Sequence, residues 1–204
     1  MPVPPVAELD ALSPADAAAA LGPLFEAAPR FVARLVAARP FASESGLFDR
    51  ARDIALALPE DEAIELVDAH PRLGAPRAVL SHSSRREQGE DDAATDADDR
   101  AAALAERLER LNTAYEARYG FRYCVFVAGR PRDALIPEWE ERLASNDRAA
   151  ELRRALGDVV AIGRDRYRRA RGGATAGDDG RPVSGVRAED GMQADDDRRA
   201  EETG

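Results

Sequence analysis

Along the N-terminal half of the chain, apolar residues return every three or four positions, the period of an α-helix. In LSPADAAAALGPLFEAAPRFVARLVAARPF, residues 12–41, Ser13 suits an N-cap and Pro14 the first helical position. Asp16 falls in the first turn, beside the positive end of the helix dipole. Gly22-Pro23 interrupts this helix. Phe31, Leu35 and Ala38 then share a face until Arg39-Pro40 ends the next one, because a residue before proline avoids the helical region. Residues 44–57 and 60–69 predict two more amphipathic helices, with Leu47, Phe48, Ala51, Ile54 and Leu58 as the apolar stripe. The second ends at His70-Pro71.

Further on, an acidic run over residues 90–99 leads into a long helix, with Thr95 or Asp96 as its expected cap. Leu104, Leu108, Leu111 and Tyr115 keep the helical spacing, and Gly120 breaks it. FRYCVFVAG, residues 121–129, has strand-like composition but no second strand to pair with, so an irregular buried segment is expected there. Pro131 is expected to start a helix carrying Leu135, Ile136, Trp139 and Leu143, with a kink at Pro137. Asn146-Asp147 caps a last helix to about Tyr167, turning Leu152, Leu156, Val159, Val160 and Ile162 inward. From about Gly172 the chain is too poor in apolar residues to offset its ordering entropy. The pattern therefore predicts an all-α, single-domain bundle of about seven to nine helices. Residues 1–10 are expected to be a flexible N-terminus, 11–170 the helical domain, and 171–204 a disordered acidic tail.

Composition narrows the function. The 204 residues carry a formal charge of -10, which argues against general affinity for nucleic acid or an anionic membrane surface. All 29 basic side chains are arginines, so lysine imine chemistry and lysine-anchored pyridoxal phosphate are excluded. One cysteine, Cys124, cannot form an internal disulfide, and two histidines with it offer no metal-ligand spacing. The start, MPVPPVAELD, has neither the basic nor the apolar part of a signal peptide, and no run approaches a membrane span. A soluble, cytoplasmic protein with no metal is the expectation.

Four features remain as candidate chemistry, each with two readings. His70 closes a helix, so it is either a cation favoured at the negative dipole end or a general acid/base. Ser84, Glu87 and Gln88 fall on one face if helical, as a polar clamp or as a capping box with Ser84 first. LNTAYEARYGF opens the 121–129 segment, whose backbone groups need partners that a polar ligand can supply; Asn112 reads as an exposed helix residue. IGRDRYRR is either a solvated basic face or a source of an arginine that grips a carboxylate. His82 reads as a surface-loop histidine.

Taken in order, LFEAAPRFVARLVAARPF, AHPRLG, SSRREQ, LNTAYEARYGFRYCVFVAGR and IGRDRY make residues 10–167 resemble the OHCU decarboxylases, where OHCU is 2-oxo-4-hydroxy-4-carboxy-5-ureidoimidazoline. The resemblance implies an all-helical homodimer that converts OHCU to S-allantoin in urate degradation without a cofactor. It makes His70 the acid/base and gives Glu87 a catalytic part, with Pro71, Ser84, Arg85, Arg86 and Gln88 binding substrate. It implies main-chain contacts to substrate from Tyr123, Cys124, Val125, Phe126 and Val127, and a carboxylate anchor at Arg166, with Arg164 as the alternative register. The sequence departs from the family pattern in three places: Arg122 stands where proline is usual, acids follow Gln88, and Asp165 and Tyr167 flank Arg166. Two other readings stay open: a non-catalytic helical interaction module, and a decarboxylase of a related ureido or imidazoline acid.

Overall fold

The last helix makes the most extensive contacts with the rest of the fold. In this computed structural model, which describes residues 3–75 and 98–172, the described residues form eight α-helices and no strand. These are α1 (Val6–Ala11), α2 (Pro14–Leu21), α3 (Pro29–Ala37), α4 (Glu44–Leu56), α5 (Glu60–Asp68), α6 (Asp98–Tyr119), α7 (Ile136–Ala144) and α8 (Arg148–Ala170). Two 3-10 turns, Gly22–Phe25 and Arg132–Leu135, join α2 to α3 and lead into α7. α8 lies against α4, α5 and the first of these turns, while α6 pairs with α7. The expected all-α fold is what forms.

Local chemistry accounts for the boundaries. The Ser13 hydroxyl accepts from the Asp16 N–H at 3.2 Å, Ser43 from Gly46 at 3.0 Å, and Asp147 from Ala150 at 2.8 Å, so three helices begin on side-chain caps. Gly120 leaves α6 in the left-handed region, with φ of 77°. Pro137 does not kink a helix: the turn before it is 3-10, and the proline sits in the first turn of α7, where its missing N–H is no loss. α8 continues past Tyr167 to Ala170.

Within the first ten residues, the chain is helical from Val6. Val3, Val6 and Leu9 are buried, and the Asp10 carboxylate accepts from the Phe41 and Ala42 N–H groups at 2.9–3.0 Å. Few apolar residues are present, but Val3, Val6 and Leu9 each find a place on the core. Residues 90–97 of the acidic run, the Thr95 or Asp96 cap and all but the first two residues of the tail lie outside the described residues.

α8 can approach its neighbours closely because of Gly163. A Cβ there would sit 2.6 Å from Cε1 of Phe25, so the glycine lets the Gly22–Phe25 turn rest directly on the helix. That contact delivers the residues after Phe25 to the middle of the bundle.

Candidate active site

His70 follows α5, and the motif around it explains its own placement. The ring is 5% exposed. Arg72 turns outward and binds α6, its Nε donating to Glu116 at 2.8 Å and its Nη1 to Glu109 at 2.9 Å. The Leu73 carbonyl accepts from the Asn112 amide at 3.0 Å. Gly74, at φ of 84°, packs on Leu108, where a Cβ would come within 2.9 Å of the leucine. The AHPRLG motif thus crosses from α5 to α6 by one ion-pair cluster, one amide contact and one close approach. Asn112 is therefore not exposed as read from the sequence; it is buried because it holds the chain that follows His70.

A second clamp comes from the 121–129 segment. The Arg122 main-chain N–H donates to Asp68 Oδ1 at 2.8 Å, and its guanidinium to the carbonyls of Asp68 at 2.7 Å and His70 at 3.1 Å. These are the carbonyls a helix C-terminus leaves without partners. A proline at position 122 has no N–H to give to Asp68. Burial pushes the Asp68 carboxyl above its ordinary range, opposed by the Arg122 N–H and charge.

The His70 ring has one nitrogen engaged. Nδ1 lies 3.3 Å from the Leu66 carbonyl, which only accepts, so Nδ1 carries the proton in the neutral ring. Nε2 is then a bare acceptor, buried and without a hydrogen-bond partner among the described residues. Burial, and next the positive charge of Arg166, lower the His70 pKa to about 4, with Glu26 and the Leu66 carbonyl opposing. At neutral pH the imidazole is an uncharged base.

Arg166 is brought to the same place from the far end of the chain. Its guanidinium, 5% exposed, donates to Glu26 at 2.8 Å and to the Pro23 and Leu24 carbonyls at 3.4 Å. The alternative register does not share this position: Arg164 lies over the Phe48 ring, 5.2 Å from its centroid, and reaches Asp49 at 3.8 Å. Asp165 is paired with Arg169.

The 121–127 segment is irregular and largely buried, as the lack of a partner strand predicts despite its strand-like composition. The Tyr123 ring points into the core, stacked on Trp139 at 3.9 Å with Arg142 above it at 4.7 Å, so only its backbone is available for ligand contact. Arg142 is fully buried and holds Glu151 at 2.6 Å, Asp158 at 3.2 Å and the Cys124 carbonyl at 3.2 Å. Arg130 takes the Phe126 and Val127 carbonyls, at 2.8 and 3.1 Å. Arginines thus satisfy much of a backbone that has no sheet or helix to do so. A cavity of about 20 Å³, room for a water molecule, lies against Val125, Phe126, Val127 and Ile162.

Pro71 is half-buried beside His70, whereas Ser84, Arg85, Arg86, Glu87, Gln88 and His82 lie outside the described residues. Glu26, Asn112 and Arg142 were not recognisable as site neighbours in the sequence. Glu26 lies in the LFEAAPRF stretch, where no charge pattern singles it out, and Arg142 lies on a helix rich in charge.

A larger groove, about 910 Å³, runs between α2 and α3 and contains none of these residues. Its polar groups are spent on structure: Asp10 caps the Phe41 and Ala42 amides, and Arg39 binds the Leu9 and Leu12 carbonyls. What is left is apolar lining without chemistry.

Comparison with known proteins gives a consistent result. The sequence profile of the family described as OHCU decarboxylase matches residues 10–168. A 2-oxo-4-hydroxy-4-carboxy-5-ureidoimidazoline decarboxylase of Haloferax volcanii is 29% identical over 143 residues, covering 70% of this chain and 82% of that protein. The uric acid degradation bifunctional protein PucL of Bacillus subtilis is 29% identical over 153 residues, covering 72% of this chain and 28% of its own longer length. The crystal structure of (S)-allantoin synthase superposes with a TM-score of 0.60 at 22% identity, over 81% of this chain and 53% of that one, a likeness of fold.

Proposed function

The chain belongs to the OHCU decarboxylase family, and from that premise we propose that it decarboxylates OHCU to S-allantoin in urate degradation, with His70 as the base. The observation that carries the role of His70 is its neutral, buried imidazole, whose Nε2 has no partner among the described residues, set beside the positive charge of Arg166.

In the proposed reaction the substrate carboxylate lies toward Arg166, a guanidinium being the natural partner of a carboxylate. His70 Nε2 takes the proton of the substrate hydroxyl or orients it as the C–CO2 bond breaks. The electron pair left behind enters the ring, where the adjacent C=N accepts it, so no lysine imine is needed as a sink. A proton delivered to one face of the ureido-bearing carbon then fixes the S configuration. Glu87 is assigned to hold the imidazole or the ureido group. Pro71, Ser84, Arg85, Arg86 and Gln88 are assigned to the substrate, as are main-chain groups of Tyr123, Cys124, Val125, Phe126 and Val127. The working unit is proposed to be a cytoplasmic homodimer. Among the described residues no helix is long and apolar enough to cross a membrane.

The test is to generate OHCU in place from urate with a urate oxidase and a hydroxyisourate hydrolase, add the protein, and follow optical rotation. Rapid appearance of optically active allantoin is the expected result. Slow racemic decay at the rate seen without the protein contradicts the assignment.

A further inference from the structure

Glu26 occupies an unusual backbone. It and Ala27 both lie in the left-handed region, with φ of 49° and 58°, which non-glycine residues seldom adopt, least of all in succession. The turn is held by the Ala27 N–H donating to the Gly22 carbonyl at 2.8 Å, and by Ala28 donating to Phe25 at 3.1 Å. Glycine would adopt this conformation without strain but would carry no carboxylate. Here the carboxylate is 15% exposed and meets a guanidinium that is 5% exposed.

We propose that Glu26 is a positioning residue of the decarboxylase site, fixing the Arg166 guanidinium in place and cancelling its charge toward the His70 ring. The proposal rests on the function argued above. Two helices and one turn converge for it: α5 ends at His70, α8 carries Arg166, and the Gly22–Phe25 turn, seated on Gly163, delivers Glu26. Among the described residues, Arg166 and Glu26 act on the imidazole with opposite sign. Arg122, from the segment packed on the end of α5, reaches the main-chain carbonyl of His70, and it also binds the Asp68 carboxylate at the end of α5. The ion pair beside the ring is therefore close to neutral as a unit. Arg166 can meet a substrate carboxylate without its full charge acting on the base that does the chemistry.

The test uses the full-length protein and three variants: Glu26→Gln, Glu26→Gly and Arg166→Gln. Glu26→Gly removes the carboxylate while easing the left-handed backbone, so it keeps the test open if Glu26→Gln folds poorly. Circular dichroism checks the fold. The His70 imidazole is titrated by NMR, with His82→Gln to assign the signals. Removing Glu26 takes away the carboxylate paired with Arg166 and is expected to move the His70 titration to lower pH; Arg166→Gln is expected to move it to higher pH. Opposed shifts of this kind do not arise from a purely structural role. In kinetics, either Glu26 variant is expected to raise KM roughly tenfold or more and to carry the acid limb of kcat/KM in the same direction as the titration. An unmoved titration in folded Glu26 variants overturns the proposal, as does a wild-type KM in them. If the wild-type protein makes no allantoin, the decarboxylase reading fails by itself. The NMR shifts still decide whether Glu26 compensates Arg166.

Discussion

Nδ1 of His70 lies 3.3 Å from the carbonyl oxygen of Leu66, one turn back along α5, and this contact fixes which ring nitrogen holds the proton. A helix end would ordinarily favour a charged histidine. Here burial and the charge of Arg166 outweigh that preference and keep the ring neutral, with a pKa of about 4 against an ordinary 6.5. The sequence leaves His70 either a cap or an acid/base; in the fold it is buried and uncharged at neutral pH.

A stability consequence follows from linkage. A histidine whose folded pKa is depressed contributes stability that is fully present above its unfolded pKa and is lost as pH falls through the folded value. The window is about pH 6.5 down to 4. At pH 4.5 the wild-type protein should have lost about 2–3 kcal/mol from this group alone. Urea unfolding at pH 7 and 4.5 should therefore show a smaller acid loss for His70→Asn. Equal losses in the two proteins would refute the depressed pKa.

Asn112 holds the Leu73 carbonyl from inside the bundle. Asn112→Ala leaves that buried carbonyl without its partner, at about 1–3 kcal/mol, and frees the chain just after His70. A lower denaturation midpoint together with reduced kcat is expected. Loss of stability with unchanged kcat would mean that the loop does not position the histidine.

Arg122 binds the last carbonyls of α5 through its guanidinium. Arg122→Ala removes those contacts and keeps the main-chain N–H bond to Asp68. We expect a stability loss of about 1–2 kcal/mol, as for hydrogen bonds to a charged group, and a fall in kcat larger than any change in KM. Comparison of both constants across Arg122→Ala and Arg122→Lys checks this; a change in KM alone would place Arg122 on the substrate.

Gly163→Ala would press a Cβ against the Phe25 ring. Overpacking of this kind costs about 1–3 kcal/mol, and the displaced turn carries Glu26. Reduced stability and a raised KM should appear together. A fully stable, fully active variant would mean that the turn moves without disturbing Arg166.

Much of this architecture was legible in the chain because helices announce themselves locally. The Ser13 and Asp147 caps and the apolar spacing of α4, α6 and α8 are all written within a few residues. The 121–127 segment could be read as irregular from the absence of any partner strand. What could not be read is what tertiary contact decides. The burial of Val6 and Leu9, the inward turn of Asn112 and the burial of Arg142 depend on residues on other elements. The pairing of Glu26 with Arg166 spans 140 residues, and nothing local to either side chain marks it. The Ser84–Gln88 part of the site rests on the sequence resemblance, since those residues lie outside the described ones.

The central claim is that His70 is the base of an OHCU decarboxylase, and one comparison tests it most directly. OHCU generated from urate is presented to the wild-type protein and to His70→Asn at equal concentration, and the appearance of optically active allantoin is timed. The account predicts a loss of about 10²–10⁴ in kcat for the variant, with the helical circular dichroism spectrum retained at neutral pH. Near-wild-type turnover by His70→Asn would contradict it.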